Sequence, residues 1–175
     1  SSLEDYSRVF AFRFDLRYPA QPLKMHEYGD SSVITRFVES FKSKIVHNRA
    51  MAKKVNPYAH DTEVRYVWVR EIGQEGKPHY HMLIFLNYDA FSALGKFEIG
   101  RDNIFNRLQE AWASALRVSV ESASGLVFIP DNPTYKLERS NPDSLQDFFY
   151  RVSYLCKSAT KVFGSGVHGF GSSRS

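Results

Sequence analysis

The sequence predicts an α+β domain, a central antiparallel sheet of about five strands with helices packed on it. Three observations carry that expectation: an aromatic run of period two near the start, a long-looped hairpin in the middle, and three segments of helical period distributed around them. In the first, Phe10, Phe12, Phe14, Leu16 and Tyr18 alternate with Ala11, Arg13, Asp15 and Arg17, which marks a half-buried strand with an aromatic core face. The turn-prone stretch from Tyr18 to Asp30 follows. Ser31 or Ser32 then caps a helix whose apolar residues Val33, Phe37, Phe41, Ile45 and Val46 recur at helical spacing until Asn56-Pro57.

A β-rich run from Glu63 to Ile72, the turn Gly73 to Pro78, and a second run from His79 to about Asn87 read as a hairpin. A second helix is expected from Asp102 to about Arg117, with Ile104, Phe105, Leu108, Trp112, Ala115 and Leu116 on its apolar face. Gly125 to Ile129 reads as a strand, and Tyr135 to Leu137 as a weaker one. Asp143 or Ser144 opens a third helix, carried by Phe148, Phe149, Val152 and Leu155 to about Val162. One domain over residues 1–163 is therefore expected, with a loosely ordered Gly/Ser-rich tail over 164–175. The start at Ser1-Ser2 without methionine fits a chain trimmed from a longer one.

Composition narrows the function classes. The chain has 175 residues, 43% hydrophobic and 15% aromatic, which is globular rather than disordered. No apolar run approaches the roughly 20 residues that span a bilayer. The single cysteine, Cys156, cannot form an internal disulfide, so a reducing compartment is expected. A net charge of +4 and a pI near 9.1 lean toward polyanionic partners. No G-x-x-x-x-G-K-[ST] loop is present, so nucleotide-driven helicase activity is not expected.

Two constellations carry candidate chemistry. His79-Tyr80-His81 opens a strand, and side chains two apart on a strand point the same way, so both imidazoles share a face. If Glu71 and His79 pair across the hairpin, Glu71 joins that face. Two imidazoles and a carboxylate then form a three-ligand site suited to Mn²⁺ and tolerant of Mg²⁺ or Zn²⁺. Glu75 is a rival third ligand, or a solvated turn carboxylate. The plainer alternative for the pair is two half-buried histidines on a sheet.

The second constellation is Tyr150, Tyr154 and Lys157. At about 100° per residue, positions i, i+4 and i+7 fall within roughly 40° of one another, so two phenols and an ammonium share one helical stripe. A phenol that attacks a phosphodiester must lose its proton, and a nearby cation favours the phenolate. The alternative is aromatic core packing with Lys157 extending past it.

Together these segments resemble the HUH endonucleases. Gly76-Lys77-Pro78-His79-Tyr80-His81-Met82-Leu83-Ile84 is similar to that family's metal motif, and Tyr150-x-x-x-Tyr154-x-x-Lys157 to the nucleophile motif of its two-tyrosine branch. The Phe10 to Asp15 strand resembles the family's first motif. Within the family, the inovirus-type replication proteins of phages and prophages share a Ser-Tyr-Leu-x-Lys segment. The resemblance implies an RRM-like or ferredoxin-like sheet with the histidines on a central strand and the tyrosine helix beside them. It also implies nicking of single-stranded DNA, or of an origin hairpin, through a 5′-phosphotyrosine. The reaction depends on Mg²⁺ or Mn²⁺ and initiates rolling-circle replication of a phage, prophage or plasmid, with a host helicase or polymerase as further partner. Tyr154 is expected as primary nucleophile and Tyr150 as secondary. Relaxases of the superfamily carry a third histidine after the pair; here Met82-Leu83-Ile84 follows, so the third ligand falls to Glu71 by register.

Lys53, Lys54, Lys77 and Lys161 are candidate DNA-backbone contacts, although lysines at helix ends are also simply solvated and dipole-matched. Trp68 and Trp112 are expected in the core, and His26, His47, His60 and His168 in surface or turn roles. A transposase or mobilisation relaxase would use the same chemistry. A catalytically silent RRM-like binder would instead expose aromatics on an open sheet face and ignore metal.

Overall fold

The computed structural model describes residues 2–20, 32–73, 77–161 and 169–173, with the backbone alone described over 154–161. The elements run α1 (Ser2–Asp5), β1 (Arg8–Leu16), α2 (Ser32–Val55), β2 (Arg65–Ile72), β3 (Pro78–Asn87), α3 (Ile104–Leu116), β4 (Val127–Phe128), β5 (Thr134–Glu138), α4 (Pro142–Lys161) and β6 (Gly169–Ser172). The fold is α+β, as the sequence predicts. The strands form one sheet in the order β4-β1-β3-β2-β6, and β5 shares the outer edge of β1 with β4. Every pairing is antiparallel.

Alternation along β1 divides the molecule into layers. Phe10, Phe12, Phe14 and Leu16 are at most 1% exposed and join Tyr80, Met82, Ile84 and Leu86 of β3 beneath α2 and α3. α2 contributes Val33, Ile34, Phe37, Phe41 and Ile45 to this core, and α3 contributes Leu108, Trp112 and Ala115. The Trp112 indole donates to the Arg17 carbonyl at 2.8 Å, so its polar edge is satisfied where the ring is buried. α3 is capped by Asn103, whose side chain accepts from the Asn106 amide, one residue later than the expected start at Asp102.

The odd-numbered residues of β1 face the other side. There Val9 and Ala11 pack with Tyr135 and Leu137 of β5 and with Phe148 of α4, with Leu83 and Phe85 of β3 alongside. α4 therefore covers the end of this face marked by Val9 and Phe85. The polar residues at the other end, from Asp15 and His81 to Glu71, belong to no apolar cluster.

Two strand expectations change. The Gly125 to Ile129 strand shrinks to Val127–Phe128, because β5 takes the rest of that edge of β1 as a full strand, Thr134–Glu138. The expected loose tail over 164–175 contributes β6, which pairs with β2 from Val67↔Ser172 to Arg70↔Gly169. Its glycines have a packing reason. Trp68 spreads across the core side of β6, and a Cβ on Gly169 would sit 3.2 Å from the indole, while one on Gly171 would run into the ring.

Gly171→Ala is expected to destabilise the protein by about 1–3 kcal/mol through overpacking against Trp68. At roughly 2–4 °C per kcal/mol for a chain of this size, a thermal melt reads the change directly. An unchanged melting temperature would mean that β6 does not dock under Trp68 in solution.

Candidate metal and nucleic-acid site

The hairpin register places Glu71 opposite His79 and Val69 opposite His81, while β1 places Asp15 opposite His81. Residues paired across antiparallel strands share a face, so Asp15, His79, His81 and Glu71 lie together on the side away from α2 and α3. Tyr80, the residue between the histidines, points the other way and is fully buried, in ring contact with Tyr18, Trp68 and Trp112. The histidine–hydrophobic–histidine pattern thus has a physical reading: polar residues on the open face, an aromatic one anchoring the strand in the core.

His81 is held between two carboxylates. Its Nδ1 lies 2.8 Å from Asp15 Oδ1 and its Nε2 lies 2.6 Å from Glu71 Oε2. The His81 side chain is 38% exposed and each carboxylate 22%, so solvent reaches the group without flooding it. The hydrogen bond to Asp15, more than any other influence, raises the His81 pKa to about 9, with the Glu71 carboxylate adding to it and burial opposing it. At neutral pH the ring is an imidazolium donating at both nitrogens. His79 shifts the opposite way: burial first, then the positive charge of Arg17, hold it below the usual histidine range. The same face therefore carries one charged histidine and one neutral one.

His79 turns toward Gly73, where an added Cβ would sit 3.1 Å from its Nε2. It lines a pocket of about 460 Å³ with Arg17, Tyr18, Gly73 and Lys77. Lys77 is tied to that rim, donating to the Ala20 carbonyl at 2.9 Å. The hydrogen-bonded group is Asp15–His81–Glu71, and among the described residues no three His, Cys, Asp or Glu side chains form a ready-made metal cage. The cause is geometric: the two carboxylates meet opposite edges of the His81 ring, and His79 faces the neighbouring pocket. The donor chemistry nonetheless fits a divalent cation. Imidazole and carboxylate oxygen lie side by side at His81 Nε2 and Glu71, His79 is neutral, and Asp15 on Nδ1 is the carboxylate partner that metal-bound histidines ordinarily have.

The other expected site residues divide. Tyr150, Tyr154, Lys157 and Lys161 all fall within α4, as predicted, and α4 lies on the same side of the sheet as His81. Tyr150 is 74% exposed, on the part of α4 away from the buried Phe148. The side chains of Tyr154, Lys157 and Lys161 lie outside the described residues, as does Glu75 altogether. Lys53 and Lys54 are not brought to the site. They end α2, which packs on the opposite face of the sheet, and Lys53 is paired with Asp61. Asp15 was not anticipated as a member of the group. Its alternation marked it as facing away from the core, but its position beside His81 depends on the long-range β1–β3 register.

The fold and this face define an α+β sheet protein with a histidine–carboxylate centre on its half-open side. The chain belongs to the YagK/YfjJ C-terminal domain family, whose model matches residues 1–173. It is 33% identical to the uncharacterized protein YfjJ of Escherichia coli strain K12, over 99% of this chain and 88% of that protein. It is also 33% identical to the uncharacterized protein YagK of the same strain, over 97% of this chain and 85% of that protein. No solved structure matches. Among the described residues, no helix is long and apolar enough to cross a membrane.

The raised pKa of His81 has a sign that can be measured. Relative to an unfolded histidine near 6.5, the folded form holds its proton more tightly, so the stabilisation is complete below about 6.5 and is lost as pH rises toward about 9. With chelator present, the stability of wild type minus that of His81→Gln, from urea melts, is expected to fall across that window. A difference that stays constant would mean that His81 is not held as an imidazolium.

Proposed function

We propose that the protein is a metal-dependent, single-stranded DNA endonuclease of the HUH type that joins itself to DNA through a tyrosine of α4. One observation carries the reading: Glu71, His79 and His81 share one face of the β2–β3 hairpin, with Glu71 in register with His79 and bonded to His81, and the tyrosine helix packs on that same side. Charge neutralisation of the scissile phosphate would come from a divalent cation, Mg²⁺ or Mn²⁺, held by Glu71, His79 and His81. Asp15 fixes the His81 ring through Nδ1 so that Nε2 is aimed at Glu71 and the open face. Arg17 and Lys77, beside His79, supply positive charge for the neighbouring backbone phosphates.

The covalent step is a transesterification. The Tyr154 phenol oxygen forms a bond to phosphorus as the bond from phosphorus to the 3′ oxygen breaks. The phenol proton passes to solvent and the departing 3′ oxygen takes one up. Lys157, one helical turn on, favours the phenolate. Tyr150 is the second phenol, available for a second cleavage. A free 3′ hydroxyl is what a polymerase extends, so the reaction suits an initiator of rolling-circle replication of a phage, prophage or plasmid. Such an initiator would work in the bacterial cytoplasm with a host helicase or polymerase.

A labelled single-stranded oligonucleotide carrying the cognate nick site is expected to yield an SDS-resistant protein adduct when Mn²⁺ is added. His81→Ala and Tyr154→Phe should each reduce the adduct by at least about a hundredfold, the scale for loss of an acid, base or nucleophile. Tyr150→Phe should keep the first adduct. A normal adduct in the Tyr150→Phe, Tyr154→Phe double variant would overturn the tyrosine mechanism.

A further inference from the structure

Beyond the centre itself, the sheet carries a row that crosses five of its strands on the open face. Asp15 pairs with Phe128 on one side and with His81 on the other; His81 pairs with Val69, and Val69 with Phe170. Five strands therefore present, side by side on one face, an aromatic ring, a carboxylate, an imidazole, an isopropyl group and a second aromatic ring. Phe128 is 41% exposed and Phe170 68%. At about 4.8 Å between strands, the two rings stand about 19 Å apart with His81 midway.

Neither ring is where folding alone would put it. β6 reads Gly-Phe-Gly-Ser, and its two glycines lie on the core side because Trp68 covers that side. Phe170 is the large side chain of the strand, yet it faces outward. Phe128 belongs to a two-residue strand whose other member, Val127, already fills the core. The guanidinium of Arg17 stands 4.2 Å from the centroid of the Phe128 ring, which keeps positive charge at that end of the row. Arg13 within β1 and Arg17 just past its end flank Asp15 in the sequence, at alternate positions.

We propose that Phe128 and Phe170 are stacking platforms for two bases of a single DNA strand that crosses the sheet along this row, with its intervening backbone over His81. Aromatic faces at both ends, basic groups beside them and a polar centre match what a single strand offers: unpaired bases with exposed π-faces, joined by charged phosphates. Duplex DNA keeps its bases paired and stacked on one another, so a single strand is the form that can lay them on such platforms. The inference deepens the reading of the open face as the DNA face, but it rests on binding rather than cleavage.

The test is fluorescence anisotropy of the full chain in chelator, with a labelled oligothymidylate and an abasic chain of equal phosphate number. Wild type is expected to bind the thymidine strand and to bind the abasic chain far more weakly. Phe128→Ala and Phe170→Ala should each weaken thymidine binding by about 5- to 100-fold, the range for losing one stacked base, without changing abasic binding. Phe170→Trp should restore or exceed wild-type affinity. Both rings are partly exposed, and the melting temperature of each variant verifies that it folds. Equal binding by wild type and both alanine variants, equal binding of the two chains, or no binding by wild type would each overturn the platform. Ring-dependent binding here, with no adduct under Mn²⁺ on an oligonucleotide carrying the cognate nick site, would sink the nickase reading and leave the platform standing; an adduct on that oligonucleotide with ring-independent binding would do the reverse.

Discussion

The alternation of β1 governs everything built around it. Its even residues from Phe10 to Leu16 are large and apolar, and they require a complete cover, which α2 and α3 supply. Its odd residues change character along the strand, from Val9 and Ala11 to Arg13 and Asp15, with Arg17 just beyond its end. α4 covers the apolar end through Phe148, and burying the charged end under the same helix would cost several kcal/mol per unpaired ion. One strand thus fixes a closed face, a half-closed face and the position of the opening.

Within that opening, the charges are balanced by pairing rather than by solvent alone. Asp15 and Glu71 would repel one another across β3 if nothing stood between them. The protonated His81 ring, bonded to both, converts that repulsion into a chain of two charge-assisted hydrogen bonds. His79, only two residues away, stays neutral because it is half-buried and lies near the positive charge of Arg17. A proton therefore occupies the place between Glu71 and His81 that a divalent cation would take. On the proposed function the two would compete, as protons and metals do at any site whose ligands must be deprotonated.

The hairpin and its consequences were legible because they are local. A single loop between Ile72 and Pro78 sets the register, and that register alone brings Glu71 to His79. The helical positions of Tyr150, Tyr154 and Lys157 were legible for the same reason, since a period of 3.6 needs no tertiary information. Asp15 was not, because the β1–β3 pairing joins residues 66 positions apart and nothing in either segment states the register. β6 was hidden more deeply. Gly-Phe-Gly-Ser has none of the β-branched alternation that marks a strand, and its glycines make sense only once Trp68 is known to lie across them. Lys53 and Lys54 show the converse: their charge was visible, but the face of the sheet to which α2 would pack was not.

The central claim is that Glu71, His79 and His81 form a divalent-metal site whose resident proton sits on His81. Calorimetric titration of the chelator-stripped protein with Mn²⁺, repeated near neutral pH in buffers of different ionisation enthalpy, tests it most directly. The account predicts one ion bound per chain with release of about one proton, as expected when a metal displaces a proton from an imidazolium ligand. Binding should be lost in Glu71→Ala and in His81→Ala. No saturable binding by wild type, or binding that survives both substitutions, would contradict it.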